Sequence, residues 1–181
     1  MKKALRVISW IILFVPFVTL SLFYNSLGNE ILTYRSFNAS EIQYTPKSLF
    51  TVFRVPLIEV VCAVTIEIMR QKTFKFNGEI LSSYYSMWSV LLFTVALKSL
   101  FQTFEFVSTS VFSQPFYASV FFYSTLAIVF GGVVLAIIKG RKFFANFQSE
   151  SWKLKNWEKI SLMILFLIYL SLAFAPMLIY R

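Results

Sequence analysis

The residues that could do chemistry here are charged or polar ones embedded in apolar sequence. "FRVPLIEVVC", residues 53–62, carries Arg54 and Glu59 on either side of Pro56, and "FTVALKSLFQTFEF", residues 93–106, carries Lys98, Gln102 and Glu105. The last three stand at i, i+4 and i+7, which is one face of a helix. A charge at mid-span costs about 2.5–3.5 kcal/mol on insertion scales, so charges placed there need partners or a task. The proline adds to the pattern, because it removes an N–H and frees the carbonyl one turn earlier. Grouped, Arg54, Glu59, Lys98, Gln102 and Glu105 would line a polar cavity for an anionic or zwitterionic ligand, or let Glu59 relay a proton. An interhelical salt-bridge network that only fixes helix pairing would use the same residues, with Arg54 and Lys98 snorkelling outward.

Other chemistry is poorly supplied. The chain has no histidine and no aspartate, no Gly-x-Ser-x-Gly elbow, no phosphate loop and no His-Glu-x-x-His pair. Its single cysteine, Cys62, lies within an apolar run, cannot form an internal disulfide, and reads as a small core residue. A non-enzymatic protein is expected, with no metal and no cofactor.

The elements that must carry these residues are set by composition. Of 181 residues 58% are hydrophobic and only 14% charged, against roughly 45–50% and 25% in soluble domains. Five apolar runs reach the ~20 residues that a crossing needs, near 5–24, 49–69, 84–104, 116–138 and 159–179. They are continuous rather than alternating, which favours a helical bundle over a β-barrel. The expected fold is all-α, a polytopic transmembrane bundle of five spans in a single domain. The start, "MKKALRVISWIILFVPFVTL", has the basic and apolar regions of a signal peptide, but "SLFYNSLGN" offers no small-x-small cleavage site. It reads as a retained first helix.

Basic residues orient the bundle. Twelve lysines and arginines flank one side of the spans and three the other, so the positive-inside rule puts the N-terminus in the cytoplasm and the C-terminus outside a cell (inner) membrane. The net charge of +9 then points to anionic headgroups at the inner face, not to nucleic acid. In that frame Arg54 lies roughly 7 Å and Lys98 about 6 Å toward the outside from mid-span, at 1.5 Å per residue. Glu59 is at mid-depth, Glu105 and Lys47 near the outer interface, and Glu67 near the inner one, within reach of Arg70.

Two connections carry signals of their own. The outer segment 25–48 is polar, and its Asn and Ser residues favour irregular structure or a short helix. The inner segment 139–158 interleaves Phe143, Phe144, Phe147, Leu154 and Trp157 with lysines. It suits an interfacial helix as well as a plain basic loop. Gly131 and Gly132, with Ala127, permit close helix approach.

The stretch "SFNASEIQYTPKSLFTVFRVPLI" resembles the defining segment of the DUF1648 family of small bacterial membrane proteins. Phe37, Asn38, Lys47, Ser48 and Pro56 match that pattern, while Ser36 replaces its histidine and Ser40 or Glu41 its glycine. The resemblance implies kinship with proteins that give immunity to a secreted, membrane-active toxin. Together the readings lead to an expected membrane protein that binds or senses a peptide or small-molecule ligand at its outer face. A small transporter or channel subunit built on the Arg/Glu/Lys cluster, or a structural subunit packed among membrane-protein partners, would fit the same composition.

Overall fold

A computed structural model describes residues 2–35, 42–71, 78–111 and 115–151. The chain is nearly all helical: α1 (Lys2–Phe23), α2 (Leu49–Gln71), α3 (Gly78–Ser110) and α4 (Pro115–Ser151). Each of the four contains a stretch long and apolar enough to cross a membrane, as a multi-pass membrane protein requires. The expected fifth span, 159–179, lies outside the described residues. So does 152–158 of the basic segment.

α3 is the hub. It packs on α1, α2 and α4, and half of its apolar window is buried against a third or less in the other helices. Each neighbour turns one stripe toward it. On α1 that stripe is Ser9, Leu13, Pro16 and Leu20; on α2 it is Val52, Pro56, Glu59, Ala63 and Ile66. These spacings of three and four residues are the mark of a single buried face. The opposite faces are apolar and exposed, for example Ile11, Phe14 and Leu22 on α1. Such an inside-out pattern is natural where the solvent is lipid.

The seam between α3 and α4 rests on small residues. Gly132, Ala136 and Gly140 are buried at intervals of four on α4, a spacing that lets two backbones approach closely. A Cβ added at Gly132 would overlap the Thr94 side chain, and one at Gly140 would crowd the Met87 sulfur; Gly131 has open space instead. Polar groups tie the same seam near its far end, where Ser83 Oγ donates to the Lys139 carbonyl and Lys142 pairs with Glu79.

The 25–48 connection differs from expectation. It holds a 3-10 turn (Tyr24–Ser26) and an antiparallel hairpin, β1 (Glu30–Arg35) with β2 (Ile42–Pro46), in register Glu30↔Pro46 through Arg35↔Ile42 with a bulge between Leu32 and Tyr34. The cause is composition at the strands, not at the tip: "EILTYR" and "IQYTP" carry β-branched and aromatic residues that suit a pleated surface. Ile31 anchors the hairpin by inserting among Leu20, Leu27, Val52 and Val107. The basic segment also differs in part. Residues 139–151 continue α4 without a break; no proline follows Gly140 there to stop the helix.

Candidate functional site

α2 and α3 run antiparallel, as the pairs Met69–Tyr84, Glu59–Lys98 and Val52–Val107 show in sequence. Glu59 belongs to the buried stripe of α2, so helix periodicity aims it at α3. There the Lys98 ammonium donates to Glu59 Oε1 at 2.7 Å, with the two side chains only 6% and 4% exposed. An exposed ion pair contributes at most about 1 kcal/mol. A buried one matters for a different reason, since either charge alone would be stranded away from water.

One turn nearer the hairpin, on the face that carries Lys98, Gln102 holds its Oε1 buried with no hydrogen-bond partner among the described residues. The Ser99 hydroxyl is in the same condition, and the residue is fully buried. Opposite them lies Pro56, also fully buried, whose ring leaves the Val52 carbonyl without its helical donor. Glu105 follows one turn further along and is half-buried; it makes no ion pair among the described residues. Acceptors therefore accumulate between the charge pair and the hairpin: a glutamine oxygen, a backbone carbonyl and a carboxylate.

Of the five residues singled out in the sequence, the structure joins Glu59 to Lys98 and sets Gln102 and Glu105 on successive turns of the same face of α3. Arg54 does not join them. It lies on the stripe Phe50, Arg54, Leu57, Val61, Ile68, whose apolar members are 43–70% exposed, away from the buried face of α2. Five residues separate Arg54 from Glu59, and at 3.6 residues per turn that is about 140° of rotation.

Glu67 is near the opposite end, as the sequence implied, and Arg70 binds it through two hydrogen bonds of 2.7 and 3.2 Å. Sequence reasoning missed its second cation, Arg6 of α1, at 2.8 Å. Only the α1–α2 packing brings those two together. Ser99 was also missed, although its i+3 spacing to Gln102 was readable. Lys47 and Ser48 have local structural work. The Ser48 hydroxyl accepts from the Thr51 N–H at 3.1 Å and caps α2, and the Lys47 ammonium donates to the Leu27 carbonyl at 2.9 Å beside the Tyr24 ring.

Comparison of the chain with protein-family models, with curated proteins and with solved structures returned no match.

Proposed function

We propose that this chain is a non-enzymatic membrane protein of five spans, N-terminus cytoplasmic, which binds a ligand entering from the hairpin end. The observation that carries this reading is that Gln102 Oε1 and Ser99 Oγ are buried with no hydrogen-bond partner among the described residues, within one helical turn of a charge pair that is already hydrogen-bonded. Buried polar groups without partners are rare in folded proteins, and each calls for an explanation such as a ligand. The ligand's chemistry follows from the acceptors. With Arg54 turned away, a group that donates hydrogen bonds fits better than an anion: an ammonium or guanidinium of a peptide. The resemblance of Lys47, Ser48 and Pro56 to a family related to toxin immunity points toward protection against a membrane-active peptide.

The test is survival of expressing cells challenged with cationic membrane-active peptides, run beside proton flux in vesicles. Gln102→Leu and Glu105→Gln should each abolish protection while the protein is still inserted. A paired replacement, Glu59→Gln with Lys98→Met, should keep it, since both charges go together. Proton flux that needs Glu59, with no protection in any variant, would replace binding with transport. Protection by none of the variants, together with purification only alongside other subunits, would favour a structural subunit.

A further inference from the structure

Arg54 has a setting that the ligand site does not explain. α2 carries two stripes half a turn apart: the buried one through Val52, Pro56, Glu59 and Ala63, and the exposed one through Phe50, Leu57, Val61 and Ile68. Arg54 occupies a position of the exposed stripe, four residues after Phe50 and three before Leu57. It has no ion pair among the described residues, and the surface around it is hydrocarbon in character. A guanidinium remains charged at any accessible pH, so it cannot shed its charge to suit that surface. It must find an anion.

Depth says which anion. α2 starts at Leu49 behind its cap, Ser48, and the polar pair Lys47 and Ser48 marks the level of the membrane interface. Arg54 stands five residues in, about 7.5 Å at 1.5 Å per residue, a distance that a snorkelling arginine side chain spans. At that height the anions available to a lipid-facing group are the phosphodiesters of the surrounding lipids. Their geometry accepts two parallel N–H bonds from one guanidinium.

We propose that Arg54 is a lipid-phosphate docking point in the leaflet at the hairpin end, with Phe50, Leu57 and Val61 packing against the acyl chains of the same phospholipid. The site takes the phosphodiester that phosphatidylethanolamine and phosphatidylglycerol share, and does not depend on net lipid charge. It stands apart from the peptide-binding reading, because the two lie on opposite faces of α2.

Native mass spectrometry of the full chain, purified in mild detergent and loaded with phosphatidylglycerol, phosphatidylethanolamine or diacylglycerol, reads this directly. The wild type should retain one phospholipid of either class and no diacylglycerol. Arg54→Gln should lower the one-lipid fraction about tenfold, the scale of losing a bidentate charge-assisted contact. Arg54→Lys should retain part of it. Because the residue is half-buried on the outward stripe and makes no ion pair among the described residues, Arg54→Gln should insert and unfold like wild type, and a thermal melt in the same detergent checks that. Equal retention by wild type and Arg54→Gln would overturn the proposal. So would an equal loss in Glu105→Gln, which would show that Arg54 serves that carboxylate inside the bundle. Retention of diacylglycerol at the level of phospholipid would reduce the site to an apolar groove.

Discussion

Removing one partner of the Glu59–Lys98 pair strands a full charge among packed helices, whereas removing both strands none. Lys98→Met should therefore lower stability by about 3–5 kcal/mol, and Glu59→Leu by a similar amount. The double variant should come within about 1–2 kcal/mol of wild type, or exceed it. Denaturant titration in micelles measures all three, and additive losses would show that the pair contributes no coupling. The spacing of Lys98, Gln102 and Glu105 was legible in the sequence because helical periodicity alone places them on one face. The position of Arg54 was legible too, but only by azimuth. Comparing depths along two helices groups it with Glu59, while rotation around the helix sends it to the other side. Glu67 with Arg6 was beyond reach: the threading puts both at the inner end, but no local pattern tells which face of α1 meets α2.

At the scale of elements, neighbouring glycines on α4 should behave in opposite ways. Gly132→Ala drives a methyl into Thr94 and should cost about 1–3 kcal/mol. Gly131→Ala meets open space and should be neutral or stabilising by up to about 1 kcal/mol. Thr94→Ala removes two of the three crowding atoms and should recover part of the Gly132→Ala loss. Thermal unfolding of the four variants decides it; equal effects at 131 and 132 would mean that the seam is not set by close approach. Removing the α2 cap with Ser48→Ala should cost about 1 kcal/mol, read in the same way. The helices themselves were legible because lipid demands long apolar runs: 5–24 and 49–69 match Lys2–Phe23 and Leu49–Gln71 closely. The ends of α3 and α4 were not. Beyond the apolar windows, Ser82, Ser83 and the 139–151 segment look like loop by hydropathy, yet both helices run through them, and Ser83 donates to the Lys139 carbonyl across the seam. The hairpin was hidden by its polar surroundings, which mask two strands of only six and five residues.

For the whole molecule, the basic asymmetry predicts sidedness that labelling can read. In a Cys62→Ser background, single cysteines at 40 and 110 should react with an impermeant reagent from outside, and those at 73 and 148 should not. A cysteine at 181 should react from outside if the chain crosses five times, and only from within if it crosses four. The described helices add a consequence of length. At 1.5 Å per residue α1 and α2 are about 33–35 Å long, close to the ~30 Å hydrocarbon thickness, whereas α3 and α4, of 33 and 37 residues, reach about 50–56 Å. One half of the bundle thus matches the bilayer and the other overreaches it, and the excess must be taken up by tilt or by projection into water. A change in bilayer thickness acts unequally on the two halves. The resulting shear falls on the α1–α3 and α2–α3 contacts, and in the second the lysine–glutamate bond is the crosspiece.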